Sequence, residues 1–429
     1  MAKQPKTKNT TNNTSNNEEK RTSLKPRKIT SKKMTEEELA KVDIEVQGLA
    51  QVSSAVKESV VNINSGRELR TLVDSYYQAQ DSRIETDNQI RSIVQEYDTS
   101  QDGKAPSALQ WLAENRRNEE KQVQKMLDYY TNSSAIGRWL KANIGIGPTL
   151  AAGLIAYFDI SKTKHVNQFH SYAGLNDNNV PWLGRDKAKK IVIQALENCS
   201  MDPAKVKGVT HIKDEVLVQV ALLTNRNISS IVRNSKNDEG YISRDSLEKY
   251  LALPPYNRKL KVLCYKIGES FVKVSGKDDS LYGKLYKERK LQEMVKNENL
   301  EFADQAKKAL EEKNYSKGTD AYKYYSEGKL PPAHIQARAK RFATKIFISH
   351  LFDAMYIDYY HRIPPTPYPI EFMGHVDIIK PEVPYEDYLD CNNLLPKLET
   401  TVDDVVNFND ADVDMDHYEG VNNEEEEEE

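Results

Sequence analysis

The chain has 429 residues, 38% of them hydrophobic and 29% charged, with a formal net charge of -4 and a mean hydropathy of -0.72. That length leaves room for two or three domains, and so low a hydropathy marks sizeable solvated segments. No apolar run nears the roughly 20 residues that cross a bilayer, no apolar core follows the first lysines, and Cys199, Cys264 and Cys391 show neither disulfide-framework nor zinc spacing, so the expectation is a soluble, non-secreted protein with reduced thiols.

Charge is segregated in blocks. Residues 1–33 carry ten Lys/Arg against Glu18 and Glu19, a net of +8; residues 401–429 carry thirteen Asp/Glu and no Lys/Arg; residues 256–345 hold 21 Lys/Arg against 12 Asp/Glu. Such blocks point to nucleic-acid contact, with an acidic tail that competes for the same basic surface. Solvated tails account for the two ends equally well.

In chain order, residues 1–34 form a basic, Asn- and Thr-rich arm with almost nothing to bury, expected to be disordered. Residues 35–133 read as a helical bundle or coiled coil. Thr35 and Glu38 make a capping box, and Leu69, Leu72, Val73, Tyr76, Tyr77 and Ile84 recur at helical spacing. This segment is the expected route to a homo-oligomer. It lacks the Val/Ile-rich strands with spaced aspartates that a metal-dependent nuclease needs, "KVDIEV" with Asp43 being the one short run of that kind.

The most informative stretch is "NIGIGPTLAAGL", residues 143–154. "SAIGRWLKANI" before it is a short amphipathic helix, and Pro148 sits where a second helix begins. Gly145 and Gly147 free the turn between them, and the second helix aims its amides at whatever lies outside. This helix-hairpin-helix predicts contact with a phosphate backbone by Gly145, Ile146, Gly147 and Thr149, with Lys141 and Arg138 one turn upstream adding charge. Such contacts read no base sequence.

The chain continues "YFDISKTKHVNQFHSYAGLNDNN", then resumes a related pattern at "NRKLKVLCYKIGESFVK" (257–273) and "PPAHIQARAKRFATKIFISHLFDAMY" (331–356). Hairpin, "SYAGL" and basic helices together resemble the C-terminal domain of the Piv/MooV-type, DEDD-class insertion-sequence transposases. The resemblance covers about half of residues 134–360. It implies a DNA-handling protein of a phage or mobile element, working in the cytoplasm of a bacterial or phage-infected cell. In that family an N-terminal RuvC-like domain supplies four acidic residues, and a serine just before a glycine attacks DNA. Neither feature is found: Leu183 precedes Gly184 and no serine follows "SYAGL" before Ser200. Ser171, Ser270 and Ser275 have no activating neighbour in sequence and read as surface or capping hydroxyls.

Between the matching blocks lies an inserted helical subdomain, residues 183–256. "DEVLVQVALLTNRNISSIVRNS" is a candidate helix-turn-helix, with Ala221 inside, Asn225 at the turn and Ile231 in the second helix. It would turn Arg226, Asn227, Ser229, Ser230 and Arg233 toward a major groove, although Thr224 and Arg226 fall where apolar residues belong. Lys259, Lys261, Arg338, Lys340, Arg341 and Lys345 are the further candidate DNA contacts, from the basic helices that bound the domain 134–182 and 257–360. Residues 361–400 are proline-rich and extended, a surface strap or partner-binding segment, and 401–429 an acidic tail expected to be disordered. His361 and His375 form no metal pattern, and no metal or cofactor is expected.

The fold expectation is therefore a mainly α protein: an N-terminal bundle or coiled coil, a helix-hairpin-helix domain carrying a small helical insert, and disordered ends. The functional expectation is a DNA-binding protein that has kept the DNA-holding half of a transposase, with RNA not excluded. A strand-transfer enzyme with a displaced serine, and a non-enzymatic scaffold, stand as alternatives.

Overall fold

The computed structural model describes residues 52–97, 107–176, 180, 182–371, 374 and 378–398. The basic arm, the Thr35–Glu38 capping box, Asp43 and the acidic tail lie outside the described residues. The protein is mainly helical, and among the described residues the only β pairing is two isolated bridges.

After a short α1 (Ser54–Val61), two long helices, α2 (Gly66–Tyr97) and α3 (Ser107–Ser133), run antiparallel. Arg83 pairs with Glu120, and Arg117 lies 2.7 Å from Asp87. Each helix is amphipathic, and their apolar faces bury Leu69, Val73 and Tyr76 from α2 and Val123 and Leu127 from α3. These residues join one core with α4 (Ala135–Ala142), α5 (Pro148–Tyr157), α6 (Val166–Tyr172), α11 (Arg258–Val274), α12 (Leu281–Glu298) and α15 (Pro332–Tyr360). The N-terminal helices and the hairpin after them thus form one unit. Helix α5 is apolar all round, so it is the element the others enclose; Ala151, Ala152 and Leu154 have no exposed surface.

The inserted residues hold a core of their own. Helices α7 (Gly184–Asn198), α8 (Asp214–Thr224), α9 (Ile228–Asn234) and α10 (Arg244–Ala252) bury Val192, Leu196, Val216, Val220, Ile231, Leu247 and Leu251 among themselves. They make two helix–loop–helix units whose loops meet in an antiparallel bridge, His211 against Ser243, with the Ile212 amide donating to the Ile242 carbonyl at 2.9 Å. A third, smaller cluster (Ala306, Tyr325, Leu330, Ile335) seats α13 (Ala303–Glu312) and α14 (Asp320–Ser326) beside the start of α15.

The proline-rich segment past α15 folds back on the body. The Trp139 indole donates to the Val383 carbonyl at 3.0 Å, the Tyr385 hydroxyl donates to the His350 carbonyl at 3.2 Å, and His350 Nε2 donates to the Ile379 carbonyl at 2.8 Å. Residues 379–385 are a strap across α4 and α15.

Candidate nucleic-acid interface

The elbow joining α4 to α5 forms as its residue types require. Ser134 caps α4 by accepting from the Gly137 amide, and Asn143 ends it by turning its side-chain amide back to the Trp139 carbonyl at 2.7 Å. Gly145 then takes φ +99, a left-handed conformation that a side chain resists, and its carbonyl accepts the Ser270 hydroxyl at 2.6 Å. Gly147 enters α5 in extended conformation, followed by Pro148 at the first helical position.

The elbow is only partly bare. The Ile146 amide donates to Asn143 O at 3.1 Å within the turn. The Ile144 amide donates to Glu382 Oε1 at 3.3 Å, while the other oxygen of that carboxylate accepts the Leu281 amide, the first of α12, at 2.9 Å. Glu382 therefore bridges the elbow and a second helix start, as an anion would. Burial pushes its carboxyl up, the two amides pull it back, and Asp279 and Lys284 act on it with opposite sign. The expectation of a fully open elbow is corrected accordingly. Ile146 and Thr149 are buried, at 5% and 8% exposure, so their side chains offer nothing to a ligand. The open side is Gly147, where an added Cβ would meet nothing within 4 Å.

Arg138 and Lys141 do not reach outward. Arg138 donates to Asn132 O at 2.9 Å, and Lys141 is ion-paired with Asp128 and bonded to Asn132 Oδ1, so both tie α4 to the end of α3. Their i,i+3 spacing along α4 suggested a basic edge, but α3 lies against that edge and neutralises it.

In the insert, Asn225 turns left-handed (φ 54) between α8 and α9, Ala221 is partly buried against the subdomain core, and Ile231 is fully buried. Thr224 and Arg226 do occupy interior positions, at 2% and 7% exposure. Thr224 donates to Val220 O at 2.7 Å, while the Arg226 guanidinium caps the end of α10 through the carbonyls of Tyr250, Leu251 and Leu253 at 3.4, 3.3 and 3.2 Å. Arg226 thus closes the subdomain and does not face a groove. Asn227 is the N-cap of α9, accepting from the Ser229 amide at 2.8 Å, and Ser230 lies 3.4 Å from the Tyr250 hydroxyl. Ser229 and Arg233 are exposed, beside exposed Ile228 and Val232.

The basic helices are similarly engaged. Lys259 lies 2.7 Å from Asp74, Lys261 donates to the Tyr256 hydroxyl at 3.0 Å, and Arg338 lies 2.6 Å from the buried Glu293. Lys340 pairs with Glu269, whose carboxyl that contact holds below its ordinary range, and sits over the Tyr265 ring. Lys345 is half-buried, and its carbonyl accepts from His170 Nε2 at 3.1 Å. Arg341 is exposed, as are Lys273 and Lys277 at the end of α11 that packs the elbow.

The serines are used structurally. Ser270 binds the elbow carbonyl, Ser275 donates to Val272 O at 2.7 Å, and Ser171 is buried at 1% exposure. "SYAGL" closes α6 and docks it: Gly174 seats against Tyr256, and the Tyr172 carbonyl accepts the Asn257 amide at 2.9 Å. Among the described residues no group of three His, Cys, Asp or Glu side chains is placed to hold a metal ion, and no helix is long and apolar enough to cross a membrane. Glu382 was missed in the sequence; its one local signal is an acid between two prolines, in "KPEVP". Compared with protein families, curated proteins and solved structures, the chain matches none.

Proposed function

We propose that this protein binds the backbone of nucleic acid, duplex DNA first, at the elbow between α4 and α5, without strand chemistry of its own. The resemblance sets the context: DNA transposition or recombination of a phage or mobile element. The observation that carries the reading is the Glu382 carboxylate on the Ile144 and Leu281 amides. One turn amide just past the end of α4 and the first amide of α12 converge on one negatively charged group beside an open Gly147, with exposed Lys273 in the last turn of α11 and exposed Lys277 just beyond it. A phosphate oxygen has the same needs as that carboxylate.

Anisotropy titration of a labelled duplex tests this. Wild type binds with an affinity that falls steeply with salt and differs little between sequences, and Gly147→Glu weakens it without lowering the melting temperature. Equal affinity for wild type and Gly147→Glu overturns the reading. A second reading, a protein-binding scaffold, is favoured by one observation: Lys141, Lys259, Arg338 and Lys340 are held by the chain's own carboxylates. It predicts no duplex binding even at low salt, together with protein partners lost on deleting residues 361–429.

A further inference from the structure

We infer that the protein self-associates through the outward face of α12, laid antiparallel against the same helix of a second copy. The inward face of α12 places Tyr282, Tyr286, Glu293 and Asn297 in the body. On the opposite face Lys284, Lys287, Leu291, Met294 and Glu298 recur in steps of three, four, three and four residues, and all are exposed. That alternation is the spacing of a helix-pairing seam. At its centre Leu291, Met294 and Val295 are 63%, 48% and 61% exposed. Three neighbouring apolar side chains on the face that points away from the core form a patch that calls for a cover.

The order of charge along the seam identifies the cover. Cations stand at the N-terminal end, apolar residues in the middle, and Glu298 at the C-terminal end. Within one helix this order opposes the macrodipole, which favours anions at the N-terminus and cations at the C-terminus. An antiparallel copy reverses the relation, bringing its C-terminal end beside Lys287. With the two-fold axis midway between residues 292 and 293, Leu291 faces the partner's Met294 and Lys287 faces the partner's Glu298, each contact made twice. A parallel copy would set Lys287 against the partner's Lys287. Glu298 already lies 2.6 Å from Lys329, yet its side chain keeps 70% of its surface and remains open to a second cation. Of the apolar residues on α2 and α3, Leu69 and Val73 are buried in the body at 1% exposure, while Ile84 and Trp111 stay exposed singly, at 43% and 67%. One helix pair makes a small interface, of the kind that associates weakly and reversibly.

Sedimentation velocity of the full chain over a wide concentration range tests the inference, with far-UV circular dichroism as the folding control. Wild type moves from monomer to dimer as concentration rises, and Leu291→Glu or Met294→Glu stays monomeric throughout. Lys287→Glu weakens dimerisation about tenfold or more, and Lys287→Glu combined with Glu298→Lys restores it, because the two reversed charges face each other again across the axis. A wild type monomeric at every concentration overturns the inference. So does a double variant as weak as Lys287→Glu. Neither result bears on the elbow, whose test is DNA affinity.

Discussion

Glu382 accepts a hydrogen bond from the Ile144 amide, a contact made across 238 residues of sequence. Its carboxylate closes the elbow and anchors the strap in one contact. Glu382→Ala leaves the Ile144 and Leu281 amides without that partner, and the expected cost is about 1–3 kcal/mol in urea denaturation. The same substitution vacates the position that a phosphate would take, so duplex affinity should rise, most clearly at low salt. Unchanged affinity would separate Glu382 from the nucleic-acid site.

The two elbow glycines should behave differently. A Cβ at Gly145 would lie 3.1 Å from Ser270 Oγ on a backbone with φ +99, whereas one at Gly147 would be free of contacts. Gly145→Ala should cost about 1–3 kcal/mol of folding stability, and Gly147→Ala should remain within about 0.5 kcal/mol of wild type. Chemical denaturation of the two single variants measures the contrast. Replacing both glycines together would confuse lost folding with lost binding.

Arg226 and Arg233 divide the insert's basic residues into structural and exposed. Arg226→Ala removes the guanidinium donors from the Tyr250, Leu251 and Leu253 carbonyls, the first of which keeps the Leu253 amide, and should destabilise residues 184–252 by roughly 2–3 kcal/mol. Hydrogen exchange should place that loss in α7–α10 while α2–α5 stay protected. Arg233→Ala should leave stability within about 0.5 kcal/mol of wild type. If the insert touches DNA, Arg233→Ala is the variant that lowers affinity.

Asp353 and His170 give the protein opposed pH dependences. Burial pushes the Asp353 carboxyl up to about 7, with the Tyr385 hydroxyl at 3.5 Å pulling it back. A carboxyl raised on folding holds its proton longer in the folded chain, so its stabilisation is full below pH 3.8 and is lost as pH rises to about 7. Burial, with Lys345 adding, lowers the His170 imidazole to about 4, so its contribution is full above pH 6.5 and is lost as pH falls toward 4. Both side chains keep some solvent contact, so each slope should stay below the about 1.4 kcal/mol per pH unit of a fully shielded group. Asp353→Asn should remove the fall in stability between pH 5 and pH 7, seen as the difference between variant and wild-type denaturation curves. A difference constant with pH would mean that Asp353 ionises normally.

What could be read locally was read from local patterns. The hydrophobic periodicity of residues 66–97 and 107–133, the turn at Gly145–Pro148 and the breakpoint at Asn225 each depend on residues within a few positions of one another, and the helices and turns stand at those places. The mainly helical fold was legible for that reason. The candidate site was less so. Lys141, Lys259, Arg338 and Lys340 look alike in sequence, because a lysine or arginine on a helix shows its charge but not its neighbour. Asp128 meets Lys141 only because α4 turns back against α3, and Asp74, Glu293 and Glu269 meet the other three only after helices 45 to 185 residues apart in the chain have packed. Arg226 looked like a misplaced polar residue until the carbonyls at the end of α10 came round to it.

Sequence alone therefore determined the mainly helical class, the long helices of residues 66–133 and the glycine turn at 145–147, since backbone conformational preference and apolar spacing act over one or two turns. Tertiary structure decided which cations remain exposed, which elbow amide is occupied, and which helix face is left uncovered. Charge neutralisation and burial depend on distance in space, and the strap that puts Glu382 on Ile144 brings together residues 238 positions apart in the chain.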